Sequence, residues 1–243
     1  MSLVRAAIVG AIFLTATPAF AGPPYVTDDP EPTPYKEFEV YAFAAGTHTQ
    51  AGNQGATGID FNYGGFEDVQ LTAALPLLYE KERGAAAIGG IGNIELAVKY
   101  RFLHQDEVGI DVAFFPRVFL PSASHRLGEQ HASVLLPLWA AREWDDWSAF
   151  GGGGCVLQGG GGKTFCLGGA GLTRQILPAL QIGAEIYHET ADTAGGDAST
   201  GVGFGIRYDV NDTVHVIGSS GPGLEHARQT NQYSWYTAIL FTF

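Results

Sequence analysis

The sequence predicts an all-β protein, an antiparallel transmembrane β-barrel of about twelve strands with short periplasmic turns and longer outer loops. Three observations predict it. Apolar residues recur at every second position in segment after segment, the period of a strand whose two faces meet different surroundings. The links between these segments alternate between tight turns and longer loops, as in bacterial outer-membrane barrels. The chain ends on a strand in which Tyr233, Trp235, Thr237, Ile239, Phe241 and Phe243 share one face.

Composition agrees with that class. The 243 residues include 34 Gly, 15 Phe, 10 Tyr and 4 Trp, and only 16% are charged while 46% are hydrophobic. Beyond the N-terminus no apolar run reaches the roughly 18 residues of a membrane-spanning helix. The net charge of −12 argues against a nucleic-acid partner, which needs a basic surface.

The elements follow in order. Residues 1–21 form a secretory signal peptide: Arg5, the apolar stretch Ala6 to Leu14, then Ala19-Phe20-Ala21 as the processing site, with cleavage expected after Ala21. Residues 22–35 carry five prolines, which exclude a helix or a central strand. They read as an extended periplasmic lead-in, with Asp28 and Asp29 as solvated turn carboxylates. Residues 36–243 form the barrel. Strands are expected near 36–47, 55–64, 68–79, 91–103, 107–118, 131–143, 146–157, 163–175, 179–190, 200–209, 213–221 and 232–243. In the fourth, Ile94, Leu96, Val98, Tyr100 and Phe102 alternate with Glu95, Ala97, Lys99 and Arg101; in the tenth, Val202, Phe204, Ile206 and Tyr208 alternate with Gly203, Gly205, Arg207 and Asp209.

The second face of these strands collects Glu39, Asp60, Glu95, Lys99, Arg101, Asp111, Arg117, Glu185, Arg207 and His215. Charges facing hydrocarbon are costly, so the alternation points them into the lumen. There they would form a polar permeation path, or Arg–carboxylate pairs that fill the interior and lock neighbouring strands. Tyr63, Tyr79, Trp144, Trp147, Tyr187, Tyr208 and Trp235 lie near strand ends, where aromatic girdles are expected.

Other features carry less chemistry. His48, His125, His131, His188 and Glu189 fall near loop ends, with Ser122, Ser124 and Ser133 close to two of them, but no nucleophile motif frames a rim hydrolase. The reading is therefore not an enzyme, with no cofactor and no metal. Gly162-Lys163-Thr164 lacks the strand-then-helix context of a phosphate-binding loop. The tracts Gly151–Gly154 and Gly159–Gly162 instead suit tight curvature, and a lateral gap near the seventh and eighth strands is one route they suggest. Cys155 and Cys166 sit opposite each other across this hairpin, placed for a cross-strand disulfide in an oxidising compartment.

Several segments taken together resemble a known family: Gly22-Pro-Pro-Tyr-Val-Thr-Asp-Asp-Pro-Glu-Pro32, Gly92-Asn-Ile-Glu-Leu-Ala-Val-Lys-Tyr-Arg-Phe102, Leu136-Pro-Leu-Trp139 leading to Trp147-Ser-Ala-Phe-Gly-Gly-Gly-Gly154, Gly183-Ala-Glu-Ile-Tyr-His188 and Gly205-Ile-Arg-Tyr-Asp209. They are similar to the outer-membrane family named for a role in the meta-pathway of phenol degradation. That resemblance implies a transporter-like barrel in the bacterial outer membrane, passing small hydrophobic or aromatic solutes. Its partners would be outer-membrane lipid and the solute. The terminal Phe243 resembles the signal read by the barrel-insertion machinery, a further partner.

Overall fold

A computed structural model describes residues 24–124 and 127–243. Its strands are β1 (Phe38–His48), β2 (Gly52–Phe66), β3 (Val69–Glu82), β4 (Ile88–Ile91), β5 (Glu95–Leu103), β6 (Asp111–Phe114), β7 (Arg117–Phe119), β8 (Ser133–Trp144), β9 (Trp147–Gln158), β10 (Phe165–Leu177), β11 (Leu180–Glu189), β12 (Ser199–Asp209), β13 (Val214–Gly221), β14 (Gly223–Glu225) and β15 (Tyr233–Thr242). All pair antiparallel, most with their sequence neighbour. β4 and β5 both pair with β3, β6 and β7 both bridge β5 to β8, and β13 and β14 both pair with β12. The fifteen segments thus make twelve staves. β1 pairs with β15 from Glu39↔Thr242 to His48↔Tyr233, which closes the sheet into a barrel.

The alternation is inside out relative to a water-soluble barrel. On β5, Leu96, Val98 and Tyr100 are 45%, 42% and 50% exposed, while Glu95 and Lys99 are 5% and 4% exposed. On β3 the same contrast separates Leu71 and Leu75 from the buried Gln70 and Thr72. A continuous apolar exterior around a largely polar interior is unstable in water and suited to hydrocarbon, where the closed ladder satisfies the backbone groups of the long staves internally. Among the described residues no helix is long and apolar enough to cross a membrane.

Connections differ at the two ends. One end has the tight turns at Glu67-Asp68, Asp145-Asp146 and Pro178-Ala179, where Asp68 and Asp145 take positive φ of 58° and 50°, the conformation that matches strand twist in two-residue hairpins. The other end carries the longer links 83–87, 120–132, 190–198 and 226–232.

Local boundaries depart from the sequence reading in three places. The first hairpin is longer than expected, because β2 starts at Gly52 and leaves only residues 49–51 as link. Val108 and Ile110 do not belong to a strand: Gln105–Val108 form the one-turn helix α1, stopped by Gly109 at φ 85°. Tyr187 is not a girdle residue, since it is 9% exposed and points inward.

Candidate functional site: the barrel lumen

The interior is shaped by two contributions, wall residues and residues 24–34. The Pro-rich segment is extended, but it does not remain outside the barrel. It runs through the lumen as a strap, held at several levels of the wall. Ser219 Oγ donates to the Pro24 carbonyl. The Val26 and Thr27 amides donate to the two carboxylate oxygens of Glu185 at 2.9 and 2.8 Å. The Thr33 amide donates to Gln70 Oε1 at 2.8 Å, and Gln70 Nε2 in turn donates to Asn62 Oδ1 at 2.7 Å. Extended backbone cannot satisfy its own N–H groups, so these wall acceptors replace the partners that a ladder would supply.

Asp28 is the most buried of the anchors. Its side chain is fully enclosed, and it pairs with Lys99 Nζ at 3.1 Å and with the Arg117 guanidinium, whose side chains are 5% and 4% exposed. Arg117 also reaches Glu95 at 3.5 Å, and Lys99 accompanies its ion pair with a hydrogen bond to the Glu31 carbonyl at 3.1 Å. Both cations lie over the Phe115 ring, at 4.8 Å for Lys99 and 4.2 Å for Arg117. Buried charges persist only when paired and hydrogen-bonded. The view of Asp28 as a solvated turn carboxylate therefore fails: local sequence gave no sign that two inward cations from different strands wait for it. Asp29, half exposed, does keep contact with the lumen space and lies 3.5 Å from Lys99.

The wall is carved for the strap. An added Cβ at Gly183 would stand 2.4 Å from the Tyr25 hydroxyl, one at Gly205 2.6 Å from the Tyr25 ring, and one at Gly169 2.1 Å from Thr27 Oγ1. Glycine is required at these positions by the close approach of another chain segment. The neighbouring Gly151–Gly154 tract opens no lateral gap. The β9–β10 ladder runs without a break from Val156↔Phe165 to Trp147↔Arg174, and β8–β9 is equally continuous. Cys155 and Cys166 are register partners in this hairpin and form a disulfide.

The remaining wall charges are distributed along the lumen. Arg101 binds the turn carboxylate of Asp68 at 2.9 Å and faces Asp111 at 3.9 Å. Arg207 and His215 both engage Asp209, at 2.9 and 2.6 Å. Glu39 accepts hydrogen bonds from Thr33 Oγ1 and the Tyr41 hydroxyl, at 3.2 and 3.3 Å, and Asp60 accepts from Asn62 Nδ2 at 3.2 Å. Outside the membrane-spanning strands, His104 Nε2 lies 3.0 Å from Asp68 Oδ2. That hydrogen bond to Asp68 raises the imidazole pKa above its ordinary value. Burial raises the Asp68 carboxyl, but hydrogen bonds from His104 and Arg101 outweigh it and hold the group below the ordinary carboxylate value.

Space remains around the strap. A cavity of about 400 Å³ opens on the short-turn side, lined by Asp29, Glu31, Arg101, Asp111, Arg207 and Asp209 among others. A second of about 390 Å³ lies between the strap and the β1–β3 and β5–β7 walls. Its charged lining is Asp28, Asp29, Glu31, Glu39, Asp60 and Glu95 against Lys99, Arg117 and Arg207, an excess of carboxylates. On the long-loop half of the β5–β10 side, Phe115, Leu135, Trp139, Val156, Phe165 and Leu167 pack into an apolar cluster that fills the interior.

The rim residues do not form a hydrolytic set in the described chain. Ser122 Oγ and Ser124 Oγ accept backbone amides of Ile94 and Ile91 at 2.8 and 2.9 Å. His188 Nδ1 lies 2.8 Å from Thr200 Oγ1 and 3.6 Å from Glu225, and His48 Nδ1 lies 2.7 Å from Asn53. His125 lies outside the described residues.

Sequence comparison finds no matching family model and no matching curated protein. Comparison of folds does find similar structures. The chain is similar to the COG4313 outer membrane channel from Pseudomonas putida F1, with a TM-score of 0.66 at 12% identity over 88% of this chain and 97% of that one. It is similar also to the KdgM porin, solved in complex with disordered oligogalacturonate, with a TM-score of 0.56 at 10% identity over 85% of this chain and 99% of that one. The fold is that of an outer-membrane barrel. Both of these neighbours are channels.

Proposed function

We propose that this protein is an outer-membrane channel for passive uptake of small solutes, of the hydrophobic or aromatic class, with its lumen occupied by its own strap in the state described here. The observation that carries the channel reading is the pair of charged cavities, of about 400 and 390 Å³, that flank the strap inside a closed barrel with an apolar exterior. A wholly filled structural barrel needs no such space. The aromatic class is supported by the family resemblance of the sequence alone. The carboxylate excess opposes anions, so a polyanion such as the oligogalacturonate bound by the KdgM porin is a poor match for this lumen.

The same reading assigns the flanks. The signal peptide would be removed after Ala21, Phe243 would be read by the insertion machinery, and the exposed apolar belt would meet outer-membrane lipid. The test is initial-rate uptake of a labelled aromatic beside a labelled sugar, at low external concentration, in a deletion strain and its complemented partner. Selective loss and recovery of aromatic uptake supports the proposal. No change in either removes the transport reading for these solutes and leaves a structural barrel, its interior locked by ion pairs such as Asp28–Arg117.

A further inference from the structure

We infer that Tyr25 is the aperture residue of this lumen, the side chain that separates an outer pocket from the periplasmic vestibule and so sets the size of solute that passes; the inference rests on the channel reading above. Two cavities meet at this residue. The vestibule of about 400 Å³ on the short-turn side is lined by Tyr25 and Pro24, and so is a smaller pocket of about 90 Å³ on the long-loop side. That pocket is walled by Thr47, Tyr187, Ser220, Ser234 and Tyr236, all near the long-loop ends of their strands. On the β5–β10 side the apolar cluster around Trp139 occupies the interior. Tyr25 and Pro24 are the lining that the vestibule and the long-loop pocket share, so passage between these two crosses the Tyr25 ring, while the cavity of about 390 Å³ lies on the other side of the strap.

The ring is seated as a fixed obstacle. It is 8% exposed, its centroid is 5.4 Å from that of Phe150, and Gly183 and Gly205 form the floor beneath it. The strap backbone on either side is fastened independently of the ring. Ser219 holds the Pro24 carbonyl, Glu185 holds the Val26 and Thr27 amides, and Lys99 and Arg117 hold Asp28. Truncating the phenol side chain should thus open a passage and leave the strap in place, which separates an aperture from an anchor.

The test uses the full chain in planar bilayers and liposomes, comparing wild type, Tyr25→Ala, Tyr25→Trp and a deletion of residues 24–34. Single-channel conductance and the solute size admitted are the readouts, with protease protection of the strap as control. Tyr25→Ala should raise conductance several-fold and admit larger solutes with the strap still protected, and Tyr25→Trp should not exceed wild type. Conductance equal to wild type in Tyr25→Ala, beside an open deletion variant, would overturn the aperture and spare the channel reading. A Tyr25→Ala protein that conducts like the deletion and loses protease protection would overturn it too, because the ring would then be an anchor. If neither variant conducts, the channel reading itself fails.

Discussion

Asp28 and Arg117, eighty-nine positions apart in sequence, form an ion pair in which the carboxylate is fully enclosed and the guanidinium side chain is 4% exposed. The pair joins the lumen strap to the wall at β7, and Lys99 of β5 completes it from the next stave. Asp28→Ala leaves two cations facing each other without their shared partner. Removing one member of a buried pair destabilises by roughly 3–5 kcal/mol. Thermal unfolding of the detergent-folded barrel should shift down accordingly, and the strap should become accessible to added protease. An unchanged midpoint with a protected strap would show that the remaining contacts suffice.

Gly183 and Gly205 have a narrower role. Ala at either position places a methyl group 2.4–2.7 Å from atoms of Tyr25, and at Gly183 also 2.7 Å from the Leu172 carbonyl. Overpacking of this kind costs about 1–3 kcal/mol. The Gly183→Ala, Gly205→Ala double variant should displace the ring, so that its Phe150 contact is lost and protease sensitivity near Tyr25 rises. The β11–β12 ladder should keep its native circular dichroism, because backbone pairing there does not involve the strap.

His104 and Asp68 predict a pH window at the short-turn end. The imidazole pKa is raised in the folded state, so its contribution is complete below its ordinary value and is lost as pH rises through the folded value. The carboxyl pKa is lowered, so its contribution is present above its ordinary value and is lost as pH falls through the folded one. The pair is strongest between these limits. Nuclear magnetic resonance titration of His104 in Asp68→Asn should show the imidazole pKa lowered from that in the wild type; a titration that stays elevated would assign the shift to another group.

The Cys155–Cys166 disulfide closes a short hairpin, at a sequence separation of 11. Chain-entropy arguments place the contribution of such a loop at about 2–3 kcal/mol. Cys155→Ala with Cys166→Ala should lower the unfolding midpoint to that of the reduced wild type, and reductant should then have no further effect. A difference between the reduced protein and the double variant would mean that packing at these sites matters beyond the bond.

The barrel was legible in the sequence because a strand's two faces impose a period of two on every stave, and because lipid outside and a polar lumen inside make those faces chemically unlike. Leu96, Val98 and Tyr100 against Glu95 and Lys99 record that difference residue by residue. Helix α1 was hidden because Val108 and Ile110 continue the alternation by coincidence, whereas Gly109 in the left-handed region ends the turn. Tyr187 was misplaced because a strand end near the rim does not by itself tell an inward aromatic from a girdle one.

By itself the sequence determined the fold class, a count of about twelve staves and the face of each strand that carries its charges, which follow from local periodicity and the spacing of turns and loops. Only the tertiary structure decided what fills the lumen. Prolines keep residues 24–34 from becoming a helix or a central strand, but nothing local says whether an extended segment lies in solvent or inside the barrel. That choice depends on partners brought together by closure of the barrel: Glu185 from β11, Lys99 from β5, Arg117 from β7 and the glycine floor of β11 and β12. Local pairing brings Lys99 beside Arg117 and Glu185 beside the glycine floor, but these two sets stand on different walls and face one strap in the barrel that β1 closes against β15.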